Sequence, residues 1–440
     1  MRVRIVHVLT TLALAGGAQA QLPRVEVSGA GAQRSLTVYR ESKTAVVRDA
    51  RAASLPAGRS EVFFADVPAS AAPYSFGLRV AQGPGTVRVV EHRLEAGPPT
   101  PGQLLSGFVG QQITLVTRDQ QGNPQRQQAT LLRVEGDRPA LVLVGDTLVL
   151  WPSGSVELPR AAVGALPVRA GLVWTVEASA AGDYVLESTY TCTNLAWEPV
   201  YTLQIDQAGT QARFAGAIHL ENSTGSGGQL TDAAIELAEG AAAGPEAQRV
   251  VSYKLLQPVS LASGTSLDVP IVASDKAPAQ QLLLFEAHKV GAQGPIKWVV
   301  RLNNDEASGL GVPLPAGKVR VTKEVAGHLL QLAGDASAPA TAVGSAWAIY
   351  LGDAVGLKGR REEASKRELN PETMEESYKI TITSTREAEV QVVVVEQMQG
   401  KWTISKSSIP PQQMGPNLVQ FTLTVPPGEA SVQYTVEIKK

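Results

Sequence analysis

Cys192 is the chain's single cysteine and lies in TYTCTNLAWEPVYTLQID, residues 189–206, five positions before Trp197. A thiol attacks carbonyls or holds metal as the thiolate, which needs a helix N-terminus or a nearby cation to bring its pKa down from about 8.5. The sequence neighbours of Cys192 are threonines, Asn194 and Glu198. Counting by twos places Tyr184, Leu186, Tyr190 and Cys192 on one side of a strand and Glu187, Thr189, Thr191 and Thr193 on the other. After a turn at 194–196, Trp197, Pro199, Tyr201, Leu203 and Ile205 alternate with Glu198, Thr202, Gln204 and Asp206. The pattern predicts a hairpin in which Cys192 and Trp197 pack inward and the cysteine is structural.

Metal chemistry asks for ligands that converge. Outside the leader the histidines are His92, His219, His288 and His328, with no H-x-H, H-E-x-x-H or cysteine pair among them. Each reads as a surface or strand residue. His219, in FAGAIHLEN, falls on the face opposite Phe214, Ile218 and Leu220. Asn303, Asn304, Asp305 and Glu306 offer oxygens, but without the D-x-D-x-D-G spacing of a calcium loop they read as an ordinary loop. The glycine-rich NSTGSGGQL, Asn222 to Leu230, lacks the serine spacing of a nucleophile elbow and the Lys-Ser/Thr ending of a phosphate loop, so a hairpin turn is expected there. No pair of carboxylates stands out, and no basic stripe with interleaved aromatics suggests nucleic acid. No catalytic residue, cofactor or metal ligand is assigned.

The elements that would position these residues are strands. Aromatics make up 5% of the chain while Gly numbers 41 and Pro 28, so short strands joined by tight turns are the economical reading. In LVQFTLTVPPGEASVQYTVEIKK, Val419, Phe421, Leu423 and Val425 share one face, as do Val432, Tyr434, Val436 and Ile438 after the turn, which predicts a hairpin. In YKITITST, Ile380 and Ile382 oppose Lys379, Thr381 and Thr383, and the denser EVQVVVVEQ predicts a central strand. TDAAIELAEG fits a short helix or a strand. The charged KGRREEASKRELNPETMEE, Lys358 to Glu376, places Glu362 with Lys366 and Glu363 with Arg367 at i,i+4, consistent with a solvated helix or a long hairpin tip. AEGAAAGPEAQ (238–248) and ASDKAPAQ (273–280) read as excursions.

Residues 1–20 have the form of a secretory signal peptide: Arg2 and Arg4, an apolar run, then Ala18-Gln19-Ala20 before Gln21. The apolar run is too short to span a bilayer comfortably, and no later stretch reaches about 18 apolar residues. With one cysteine no internal disulfide is available, so stability must come from cores, for which the length is ample. The formal net charge of −2 gives no general attraction to nucleic acid or anionic membrane. Scarce aromatics and polar strands argue against an outer-membrane barrel.

The expected architecture is all-β and multi-domain. It comprises the signal peptide, an amino-terminal β-domain at 35–98, a five-stranded SH3- or Sm-like barrel at 102–160, a central β-sandwich region at 168–372 and carboxy-terminal sandwich strands at 375–440, the sandwiches being immunoglobulin-like. EAGPPTPGQ, Glu95 to Gln103, marks the first boundary.

The order of several segments resembles bacterial envelope proteins with domain of unknown function 4139. The step from Tyr190 through Trp197 to Tyr201, the step from Asn222 through NSTG to Gly240, the VVRLNNDEASGLGVPLPAGKVRV strand and the terminal EAEVQVVVVEQMQGKWTISKSS and FTLTVPPGEASVQYTV carry it, over roughly residues 35–440. Relatives grouped with mucoidy inhibitor A proteins hold a long coiled coil before this region. No sustained heptads occur here, so that means of oligomerisation is not carried over. The resemblance implies an all-β secreted or periplasmic protein and brings no catalytic residues. The expectation is a non-catalytic envelope module that binds another envelope protein or a surface polymer, at the periplasm or cell surface. The competing expectation is a hydrolase or metal-dependent enzyme whose residues converge only in the fold.

Overall fold

A computed structural model describes residues 22–29, 31–160, 169–225, 227–240, 251–327 and 329–439. The leader at 1–20, most of AEGAAAGPEAQ and His328 lie outside the described residues. Among those described there are 29 strands and a single α-helix, Pro101–Ser106, so the fold is all-β. Among the described residues no helix is long and apolar enough to cross a membrane. The chain divides into two compact units, 1–196 with 221–265, and 197–220 with 266–440. The expected region 168–372 therefore contributes to both, and 35–98 is completed by strands from 170–193 and 230–239.

The first unit contains sheets of seven, four and five strands. In the seven-stranded sheet Thr44–Leu55 runs antiparallel to Gln33–Tyr39 on one side and Gly182–Thr193 on the other. Its side chains alternate buried and exposed, as a strand with one wet face must. In the four-stranded sheet Gly58–Ala65 and Ala170–Ala178 pair, and nearly every residue of the latter is buried. The two sheets face each other, since Arg51 of the first donates to the carbonyls of Val27 and Ala65 in the second.

The five-stranded sheet spans Gln112–Glu157, and its last strand, Ser155–Glu157, pairs back onto its first, Gln112–Arg118. That much agrees with the expected small barrel. The ring does not close, however, because Thr147–Leu150 and Ser155–Glu157 remain the two edges of the sheet. Helix Pro101–Ser106 accounts for this: capped by Thr100 and Gln103 in a reciprocal box, it sends Leu105 into the core of Ile113, Leu115, Leu131 and Val142, which the helix turn covers in place of a closing strand.

The second unit is one hydrogen-bonded assembly of thirteen strands with two cores. One core gathers Tyr201, Phe214 and Trp347, with the Phe214 and Trp347 rings 5.0 Å apart edge to face. The other gathers Phe285, Ile380, Phe421 and Tyr434. Leu195–Ile205 lies parallel to Gly317–Val325, which brings Tyr201 opposite Val319. The Tyr201 hydroxyl donates to the Pro315 carbonyl at 2.7 Å, and a Cβ on Gly317 would sit 2.4 Å from the Pro199 carbonyl oxygen. Two motifs over a hundred residues apart thus pack on each other, and only glycine fits at the contact.

Three expected hairpins are corrected. Gly182–Thr193 belongs to the seven-stranded sheet and Leu195–Ile205 to the thirteen-stranded one, joined only by Asn194 at φ 66°. Gln211–Asn222 and Leu230–Glu239 are likewise split between those sheets. Leu418–Val425 pairs with Val390–Gln397, whereas Gly428–Lys439 pairs with Thr373–Ser384. In all three the two strands take different hydrogen-bonding partners, an arch in place of a hairpin. The charged stretch is a true hairpin of Ala346–Asn370 with Thr373–Ser384, and its ion pairs are cross-strand, Lys366 with Glu376 and Arg367 with Glu375, in place of the helical i,i+4 pairs. TDAAIELAEG forms the strand Leu230–Glu239, and ASDKAPAQ is no excursion but part of the strand Thr265–Glu286.

Candidate functional site

Cys192 is buried opposite Ala45, beside a small space that is also lined by Arg34, Tyr190, Leu195 and Thr224. Burial pushes its thiol up to about 12, and a bond involving the Ala45 backbone offsets this only in part. Arg34 is near, but its charge is spent on Asp49. The cysteine is therefore a packed strand residue, as its face predicts.

Asp49, fully buried, accepts from Arg34 Nε at 2.9 Å and from Arg51 Nε at 2.9 Å and Nη2 at 2.6 Å. Burial alone would raise its pKa; the hydrogen bonds and charge of Arg51, then of Arg34, reverse that and hold it below the ordinary aspartate value. Arg51 also stacks over Phe64. Glu187, covered by the exposed side chains of Arg48 and Arg79, receives bonds from both and is likewise held low, by Arg79 first. Glu396, in the second unit, is buried with Arg361 Nε 2.7 Å from its Oε1, and Arg361 lies 3.8 Å from the Tyr378 ring centroid. Here burial dominates and the carboxyl is pushed up despite Arg361. All three carboxylates face guanidiniums, which do not give up a proton near neutrality. These are structural clusters, and sequence reasoning missed them because their partners lie on separate strands.

The three described histidines outside the leader each have their own partner. His92 Nε2 lies 3.2 Å from the Pro73 carbonyl oxygen and its ring meets Phe76 and Trp174; His219 Nδ1 is 2.6 Å from Asp268 Oδ1; His288 Nδ1 is 3.2 Å from the Val395 carbonyl oxygen. Among the described residues no group of three metal-ligating side chains occurs. Asn304 is fully buried and bonds Val312, Thr341 and Gly311, while Asp305 caps the short helix at Ser308. Asn222 is likewise fully buried. Its amide donates to the carbonyls of Gly228 and Leu261, and its Oδ1 accepts from the Thr224 hydroxyl.

Two solvent-open grooves in the second unit are concave enough to hold a ligand. One, of about 590 Å³, lies along the edge strand Lys401–Ser407 and includes Trp402, whose indole N–H donates to the Pro416 carbonyl at 2.9 Å. Lys401, Lys406 and a register slip after Ile404 blunt that edge. The other, of about 610 Å³, is floored by the half-buried Trp298 and rimmed by Gln281, Asp353, Arg386 and Gln391. No known protein-family profile and no curated protein matches the chain.

Proposed function

We propose that this is a secreted or periplasmic envelope protein that acts without catalysis, as a binding or scaffolding module for another envelope component, within the family sharing domain of unknown function 4139. Its face-to-face sheets are proposed to be immunoglobulin-like. The observation that carries the reading is the contrast between buried and open sites. Among the described residues the buried carboxylates Asp49, Glu187 and Glu396 each face arginine and the thiol is held protonated, whereas each open groove holds a tryptophan with amide and aliphatic side chains and a few charged ones, Lys401 in one and Asp353 and Arg386 in the other. Such surfaces hold partners and have little means of moving protons.

Crosslinking in intact cells, followed by identification of what is captured, tests this. An envelope protein or surface polymer is the expected catch. Turnover in a hydrolase substrate screen, with no envelope component captured, would sink the proposal and favour the enzyme reading.

A further inference from the structure

The groove at Trp298 is made by three irregularities in otherwise regular strands. Leu283, Trp298 and Gly352 stand side by side across Thr265–Glu286, Gln293–Asn303 and Ala346–Asn370. Gly352 has φ 125°, beside a register slip at Trp298, and a Cβ there would meet nothing within 4 Å. The strand next to Trp298 therefore carries no side chain at the paired position, and the space beside Gly352 is open. A little further on, Ala354, Val355, Gly356 and Leu357 all stand opposite Ile296, so the strand loops outward. Val355 is 87% exposed on this lip, which is pinned by Arg386 Nε on its carbonyl at 3.0 Å and by the Thr385 amide on Gly356 at 2.9 Å. Finally, Val390–Gln397 joins Thr265–Glu286 only from Leu284 opposite Val393 onward; before that point Gln281–Leu283 and Val390–Val392 splay, and the groove opens between them.

We infer that this groove binds an uncharged, hydroxyl-rich pyranose segment of a glycan, stacked on Trp298 and held by Gln281, Gln391, Asp353 and Arg386. The inference rests on the reading of the protein as a binding module and names the chemistry of one ligand. An indole face takes the apolar C–H face of a sugar ring. Amides both donate and accept, as hydroxyls do, while a carboxylate and a guanidinium present paired acceptors and paired donors to neighbouring hydroxyls. Charge selects against an ionic ligand, because Asp353 is already neutralised by Lys297 and the rim carries both signs. Strand addition by a peptide is disfavoured by length: the unpaired edge covers only Gln281–Leu283, whereas strands typically run about five to six residues.

Titration calorimetry of the full chain with three neutral tetrasaccharides, β-1,4-linked N-acetylglucosamine, β-1,4-linked glucose and α-1,4-linked glucose, tests it. At least one is expected to bind saturably. Trp298→Ala should weaken that binding about tenfold, the effect of losing ~1.4 kcal/mol. Gln391→Ala, at an exposed rim position, should weaken it several-fold with the thermal midpoint unchanged. No saturable binding by any of the three, binding unaltered by Gln391→Ala and Trp298→Ala, or binding only of an extended peptide overturns the inference. A protein partner captured by crosslinking in cells alongside such a negative titration would leave the binding-module reading standing while this inference fell.

Discussion

Asp49 sits between two buried guanidiniums, so its removal leaves two unpaired charges in a dry sheet interface. Asp49→Asn is expected to cost about 3 to 5 kcal/mol at pH 7, measured by urea unfolding. Because the folded-state pKa of Asp49 is depressed, its contribution is fully present above the unfolded value near 4 and is lost as pH falls toward the folded one. The gap between wild type and Asp49→Asn should therefore narrow below about pH 4, and a gap that stays constant down to pH 2.5 would refute the assignment. Glu396 works in the opposite sense: its pKa is raised on folding, so it favours the folded state most at low pH and loses that contribution as pH rises through its folded value. Cys192 gives the simplest reading at this scale. With its pKa pushed up to about 12 and its side chain buried, a disulfide reagent at pH 8 should label no thiol in the native protein and one per chain in denaturant. The burial of Cys192 was legible from alternation alone. The Asp49 cluster was not, since nothing in a linear pattern says that residues 34, 49 and 51 share one interface.

At the scale of elements, alternation reported faces correctly and edges poorly. Val419, Phe421, Leu423 and Val425 do share a core with Val432, Tyr434 and Val436, as their spacing predicts. Yet a hairpin and an arch bury the same alternating residues: in one the strands lie side by side, and in the other they face each other across the core. Period two fixes which side chains go inward and is silent about which neighbour takes the backbone hydrogen bonds. The reading of 189–206 and of 211–239 failed on the same point of pairing, since in each the two strands belong to different sheets. Asn222 shows what an arch requires. Its one buried amide donates to the carbonyls of both Gly228 and Leu261, tying the turn to a neighbouring strand. Asn222→Ala removes the donor to both carbonyls and the main acceptor of the Thr224 hydroxyl, which keeps only its 3.4 Å contact with the Gly228 carbonyl, and should lower stability by about 3 kcal/mol in chemical denaturation. A loss below about 1 kcal/mol would mean that water replaces the amide without penalty.

For the whole molecule, discontinuity decides what can stand alone. Residues 105–158 supply their own core and all five strands of one sheet. A fragment spanning 99–159 should fold by itself and melt cooperatively, with modest stability for its size. A fragment ending at 196 is the contrasting case. It lacks Leu230–Glu239, which pairs with Gln33–Tyr39, so a bare sheet edge is left and aggregation on size-exclusion chromatography is expected. The chain passes between its two units at 196/197, 220/221 and 265/266. A protease that cuts at any one of these crossings therefore leaves at least one unit built from both fragments: after a cut at 265/266, for example, residues 197–220 stay on one fragment and 266–440, with which they form the second unit, on the other. For a protein proposed to work outside the cytoplasm this amounts to built-in tolerance of damage: once nicked, it would run as two bands under denaturing electrophoresis and still travel as one particle on a native column.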